Sequence, residues 1–183
     1  IKRNNLRVNQ TMDSGCTALI LASLKGHVEI VRLLLSNSDI DINKAENNGC
    51  TALYLASMTD NVEVVRLLLS HRDIDINRAD SKGATALYIA SELGRIETVR
   101  LLLSKSKSEI DMNKATKSGA TALDIAFQKG HVEVFCLLLS KSEIDINKIM
   151  DNGVTALFMA SQLGHLEAVR LLLSKSDINI NKA

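Results

Sequence analysis

"TALILASLKGHVEIVRLLLS", residues 17–36, reads as two short helices hinged on a glycine. Thr17 stands before Ala18 and Leu19, where its hydroxyl can accept from a free amide of the first turn. Ala18, Leu19, Leu21 and Ala22 then make a short helix whose small residues allow a neighbour to approach closely. Gly26 supplies the left-handed turn that ends it. A second helix is expected from about Val28 to Ser36. Its apolar residues, Val28, Ile30, Val31, Leu33, Leu34 and Leu35, cover more than one stripe. Such a helix must be covered on two sides, as it is inside a stack. Glu29 and Arg32 sit three apart on the remaining face, a modest surface pair.

The stretch recurs. "TAL" begins at Thr17, Thr51, Thr85, Thr121 and Thr155, in steps of 34, 34, 36 and 34. "LLLS" begins at Leu33, Leu67, Leu101, Leu137 and Leu171, with the same steps. A glycine lies two residues before each Thr: Gly15, Gly49, Gly83, Gly119 and Gly153. The other glycines, Gly26, Gly94, Gly130 and Gly164, share one equivalent place, so all nine obey a single template. The Glu–Arg spacing returns at Glu63/Arg66, Glu97/Arg100 and Glu167/Arg170, while Cys136 replaces the Arg in the fourth copy. A period of this length marks a repeat architecture, in which each unit buries its apolar face only against its neighbours.

Composition narrows the function. The 183 residues carry a net charge of +1, which advertises neither nucleic acid nor an anionic membrane surface. No apolar run approaches the ~20 residues of a membrane helix, and no signal-peptide pattern is present. The aromatics are five, Tyr54, Tyr88, Phe127, Phe135 and Phe158, too few for base-stacking platforms. Cys16, Cys50 and Cys136 are sparse and odd in number, which argues against a disulfide framework and for a reducing, intracellular, cytoplasmic setting.

One recurring word tests for metal. "DIDIN" fills 39–43 and 73–77, with "EIDMN" at 109–113, "EIDIN" at 143–147 and "DININ" at 177–181. A calcium loop opening at Asp39 would need Gly at its sixth position and Glu at its twelfth; Lys44 and Cys50 stand there. Period two instead puts Ile40 and Ile42 on one face and the polar groups on the other, a strand-like link between units. Lys44, Arg78, Lys114, Lys148 and Lys182 follow these words and would offset the column of acids. The words "HVE" and "HLE" lack the Pro-Cys-x-x-Cys that a zinc deaminase adds. Cys16 and Cys50 occupy equivalent places in adjacent units, too far apart for a disulfide when helices stack roughly 8–10 Å apart. No phosphate loop, nucleophile elbow or catalytic constellation stands out, and neither metal nor cofactor is implied. The basic "SKSKS" at 104–108 reads as a solvated loop.

Several of these words together resemble the ankyrin repeat, a hairpin and two helices in ~33 residues. The family's T-P-L-H-x-A word is matched by "TALILA", "TALYLA", "TALYIA", "TALDIA" and "TALFMA". Its G-H-x-E word is matched by "GHVE", "GRIE", "GHVE" and "GHLE", and its V-V-x-L-L-L word is present. The resemblance covers essentially the whole chain. The family's Pro is Ala in every unit, at little cost to a helix. Its His becomes Ile20, Tyr54, Tyr88, Asp124 and Phe158, so the Thr–His hydrogen bond that the resemblance implies has no His here. The Gly that follows the family's second helix is absent, and that turn should differ. Asp60 stands where the second unit should have Gly; a non-glycine in a left-handed turn is costly, so Asp60→Gly is expected to raise stability.

The resemblance implies an all-α solenoid of stacked helix-turn-helix units joined by β-hairpin-like loops, one domain over 1–183. Residues 1–9 align with the end of a preceding repeat, and 182–183 with the start of a next. Between them lie repeats 10–43, 44–77, 78–113, 114–147 and 148–181. Leu166, Val169, Leu172 and Leu173 in the last helix match the internal pattern, which suggests a slice of a longer array or ends that stack. The expected function is a non-catalytic module that binds a protein through finger tips and first helices. The alternatives are a recruiting array for a catalytic domain elsewhere, or a structural spacer. The Asn of each DIDIN-like word should tie neighbouring hairpins through backbone hydrogen bonds. The candidate tips are Asp13, Ser14, Asn47, Asn48, Ser81, Lys82, Lys117, Ser118, Asp151 and Asn152. Cys16, Cys50, Ala84, Ala120 and Val154 follow each Gly. Near the ends of the first helices come Leu24, Lys25, Met58, Thr59, Glu92, Leu93, Gln128, Lys129, Gln162 and Leu163. Asp124, odd in its column, is a further candidate, read as a partly exposed residue. These positions vary between units while the Leu words hardly change. The chain is expected to be monomeric, with stacking possible through its ends.

Overall fold

The computed structural model describes residues 8–106, 108–142, 144, 155–162 and 164–174. Ten helices lie among them, in five antiparallel pairs: α1 Ala18–Lys25 with α2 Val28–Leu35, α3 Ala52–Met58 with α4 Val62–Leu69, α5 Ala86–Glu92 with α6 Ile96–Leu102, α7 Ala122–Gln128 with α8 Val132–Leu139, and α9 Ala156–Gln162 with α10 Leu166–Leu173. α1, α3, α5 and α7 pack successively on one another, as do α2, α4, α6, α8 and α10. No helix among the described residues is long and apolar enough to cross a membrane.

The local signals act as expected. The hydroxyls of Thr17, Thr51, Thr85 and Thr121 accept from the amides of Ile20, Tyr54, Tyr88 and Asp124, closing the first turn of each leading helix. Ala22, Ala56, Ala90 and Ala126 are buried between first helices, where a larger side chain would hold the neighbour off. The inner second helices are buried on two sides, as in α4, where Val64, Val65, Leu68 and Leu69 all sit in the core. The Glu–Arg pairs form at 3.5, 3.4, 3.6 and 3.1 Å, all exposed, each therefore worth only a few tenths of a kcal/mol, ~0.3–0.5 at this helical spacing.

The turn after each second helix departs from a left-handed cap. Ser36 stays in right-handed geometry at φ −76, and its hydroxyl donates to Leu33 O at 2.7 Å. Ser70, Ser104, Ser140 and Ser174 do the same. The Ser of "LLLS" thus satisfies a terminal carbonyl by its side chain, and no glycine is needed. Where two residues are added, Glu109 draws the loop together: its carboxylate accepts from the amide and hydroxyl of Ser106.

Three lines of contact tie the first four units to one another. In the first, Asn43 Nδ2 donates to Asp73 O at 2.6 Å while its Oδ1 accepts from Asp75 N at 2.8 Å. Asn9 and Asn77 make the same two bonds to the units that follow them. The acids beside them cap turns: Asp41, Asp75 and Asp111 accept from the amides of Asn43, Asn77 and Asn113. The DIDIN word is therefore two consecutive turns, a correction to the strand-like reading. The alternation survives because the turns point Ile42 and Ile76 into the core and leave the acids in water. Lys44 and Lys114 bind carbonyls, Asn9 O at 3.0 Å and Asn77 O at 2.7 Å, where charge balance with the acids was expected.

The second line runs through the inter-helix turns. Asn61 Nδ2 donates to Ser23 O and Leu24 O, Arg95 Nε to Met58 O, and His131 Nε2 lies 3.0 Å from Glu92 O. Three different side chains at one position reach back to the end of the preceding first helix. The third line runs between the hairpins, described below.

The turn at Asp60 has a partner in the next unit. Asp60 is left-handed at φ 57, alone among the described non-glycine residues. Yet its Oδ1 accepts from the hydroxyl of Thr98 at 2.8 Å, and Thr98 is 0% exposed. Thr98 occupies the place held by Val64 and Val134 in the adjoining units, both buried in the core. The two irregular residues serve each other across the repeat boundary.

Ile30 and Leu33 on α2 are 51% and 72% exposed, while their counterparts on α4 are covered, Val64 buried and Leu67 half-buried. Leu166 and Leu173 on α10 are exposed likewise. These apolar groups lie on the two ends of the described stack.

Candidate binding surface

Each of the first four units begins with a narrow hairpin. Its arms are joined by Met12 N to Cys16 O, Glu46 N to Cys50 O, Asp80 N to Ala84 O and Thr116 N to Ala120 O, at 2.9–3.0 Å. The residue opening the turn also caps it. Glu46 accepts from the amides of Asn48 and Cys50, and Asp80 Oδ1 from those of Lys82 at 2.9 Å and Ala84 at 2.8 Å. Neighbouring fingers are then tied tip to tip: Asn47 N to Ser14 O, Ser81 N to Asn48 O, and Lys117 N to Lys82 O. This approach requires Gly49, which has φ +87 and would place a Cβ 2.9 Å from Ser81 N. Backbone bonds thus fix the finger row and leave most tip side chains to solvent.

The candidate positions divide by this geometry. Asp13, Ser14, Lys25, Asn47, Asn48, Thr59, Ser81, Lys82, Leu93, Lys117, Ser118, Gln128, Lys129 and Gln162 are exposed. Cys16, Leu24, Cys50, Met58, Glu92 and Ala120 are half-buried. Five of the exposed side chains are engaged in structure: Asn47 Nδ2 donates to Asp13 O, Asn48 Nδ2 to Glu46 Oε2 and the Thr59 hydroxyl to Leu55 O, while the Ser118 hydroxyl pairs with that of Thr116 and Lys129 Nζ with the Glu92 carboxylate. Asp151, Asn152, Val154 and Leu163 lie outside the described residues.

Two candidates are turned inward. Ala84 is buried beneath its finger. Asp124, expected to be partly exposed, is 9% exposed, and its Oδ2 accepts from both the amide and the hydroxyl of Thr121 at 2.8 Å. It closes a capping box with Thr121.

Between the third and fourth fingers lies a cleft of about 460 Å³, lined by Tyr54, Asp80, Ser81, Lys82, Ala84, Tyr88, Glu92, Thr116, Lys117 and Ser118. Sequence reasoning had singled out Ser81, Lys82, Ala84, Glu92, Lys117 and Ser118. It missed Tyr54, Asp80, Tyr88 and Thr116, the floor and the hairpin openings. Tyr54 packs with Ala84 and Ile89, flanked by Cys50, Met58 and Tyr88, in a small apolar cluster beside the main core. Its hydroxyl donates to Asp80 Oδ2 at 3.4 Å. Burial, then the charge of Asp80, pushes the Tyr54 hydroxyl up. Burial raises Tyr88 too, with Glu92, Asp124 and Asp80 adding to the effect. The thiol of Cys50 is pushed up to about 12 by burial and by Glu46, so it is a poor nucleophile and metal ligand. Among the described residues no cluster of His, Cys, Asp and Glu is placed to hold a metal.

Comparison with known proteins agrees with this architecture. A family model described as "Ankyrin repeats (3 copies)" matches residues 1–80, 76–150 and 111–183. No curated protein matches the chain. Among solved structures, that of EF0377, an ankyrin repeat protein, superimposes with a TM-score of 0.79 at 26% identity, over 92% of this chain and 85% of that one.

Proposed function

Because the chain belongs to the ankyrin-repeat family, whose members generally serve as protein–protein interaction modules, we propose that it is a non-catalytic module that binds a protein across its finger tips and first helices. The finger row carries this reading. Backbone bonds hold the tips at fixed spacing while Ser81, Lys82, Lys117 and Ser118 project into solvent. A surface fixed before binding loses little conformational entropy when a partner arrives. Most of the described residues that differ between units are exposed, Ala84 and Asp124 being turned inward, whereas leucines such as Leu68, Leu102 and Leu138 fill the core.

The test is affinity capture with Met58→Arg combined with Leu93→Arg, against Arg66→Glu on the opposite helices. Loss of a partner with the first variant alone supports the reading. A wild type that captures nothing, with neither variant altering the outcome, removes it.

A further inference from the structure

We propose that the cleft between the third and fourth fingers receives the arginine side chain of an extended segment of the partner protein, one that places an acidic residue beside that arginine. The proposal rests on the protein-binding reading above and names the chemistry of one contact within it.

Both tyrosines of the chain line this cleft. Tyr54 is buried and forms its wall, and half-buried Tyr88 offers ring surface beside it. Two carboxylates stand at the same place. Asp80 is fixed, since one oxygen holds the finger amides and the other takes the Tyr54 hydroxyl. Glu92 ends α5, and its ion pair with Lys129 is long, 3.7 Å. Asp124 adds negative field but is spent on Thr121.

Aromatic faces beside carboxylates select a cation. They select a planar one in particular: a guanidinium stacks on a ring while its edge donates to an acid, whereas an ammonium is compact and strongly hydrated. An anionic side chain would meet Asp80 and Glu92. A purely apolar one would strip water from the carboxylates and give them no further partner in exchange. The rim has the opposite sign. Lys82 and Lys117, on adjoining tips, are both exposed. They disfavour a second cation and match a carboxylate next to the arginine.

The experiment titrates the full chain, ¹⁵N-labelled, with Nα-acetyl-arginine-N-methylamide and its lysine and citrulline counterparts. Amide shifts confined to Asp80–Glu92 and Thr116–Ser118 are expected with arginine, weaker ones with lysine and none with citrulline. Glu92→Gln should weaken arginine binding about fivefold, the loss of one charge-assisted contact near the surface. Lys129→Ala should tighten it about twofold by releasing Glu92 from its competitor. Tyr88→Leu should abolish it and Tyr88→Phe retain it, which separates loss of the ring from loss of the fold. Equal shifts with citrulline, shifts outside these fingers, or indifference to Glu92→Gln and Lys129→Ala overturn the proposal. Such a result leaves capture through the finger face untouched, so the two readings fail separately.

Discussion

Replacing Asp60 by glycine sets two effects against each other. Glycine adopts φ 57 without strain, a gain of about 0.5–1 kcal/mol for a residue that tolerates this region better than most. It also removes the acceptor of Thr98, whose side chain is wholly enclosed. A buried hydroxyl left without its partner costs about 1–3 kcal/mol, and a carboxylate acceptor places the loss in the upper part of that range. The loss wins: Asp60→Gly should destabilise by about 1 kcal/mol, a fall in Tm of about 2–4 °C at this size. Thr98→Val restores the apolar residue of the neighbouring units and removes the orphan. The double variant should therefore match or exceed the wild type by up to about 1 kcal/mol, with a coupling energy of about 1–2 kcal/mol. Urea unfolding followed by tyrosine emission is the assay, since Tyr54 and Tyr88 sit on the two repeats concerned and the chain has no Trp. Asp60→Gly as stable as the wild type would refute the reasoning, as would a loss that persists undiminished beside Thr98→Val.

Other expectations follow the same logic. Asn43→Ala should cost about 1–2 kcal/mol, because it removes two bonds between repeats, and should speed hydrogen exchange at Asp75 N, which loses its acceptor. Gly49→Ala should be far more damaging than Gly130→Ala: both turns are left-handed, costing about 1–2 kcal/mol for alanine, but only the former drives its methyl into a neighbouring backbone. Equal losses in denaturant midpoint would contradict this. Folding raises Cys50 above its ordinary 9.0 and Tyr54 above 10.0, so the unfolded chain ionises first. Stability from these groups is complete below pH 9 and falls as pH rises through 9 to 12. Tm should fall over the accessible part of that range, and less steeply in Cys50→Ala with Tyr54→Phe; a Tm that rises with pH would contradict the sign. Cys50 should also alkylate at pH 8 at least about a hundredfold more slowly when folded, from its depleted thiolate.

The readable parts of this fold were those whose partner lies within one turn or at one fixed repeat. Thr17 and its equivalents cap a helix three residues on, Glu29 meets Arg32, and Asn43 meets the next DIDIN word 32 residues away because every unit repeats the arrangement. Asp124 had a local signal that went unread: Thr121-x-x-Asp124 is itself a capping box. Asp60 and Thr98 had none, since each looks like a defect alone and they are 38 residues apart. The arginine-sized cleft was half legible. Its rim consists of variable tip residues, whereas Tyr54 and Tyr88 stand at positions that a helix pattern assigns to packing, and only the stacking of adjoining units decides how much ring remains open.

The Asp60–Thr98 contact also bears on the order in which the units assemble. Nearly interchangeable repeats can dock out of sequence, one skipping its neighbour to join the next, because their leucine faces match almost as well. Here a skip carries a penalty. Docked on the first unit, the third would present Thr98 to Gly26, which has no side-chain acceptor. Docked on the second, the fourth would press Val134 against the carboxylate of Asp60 and strip it of water. The irregular residues thus act as addresses, telling otherwise similar units which neighbour is theirs.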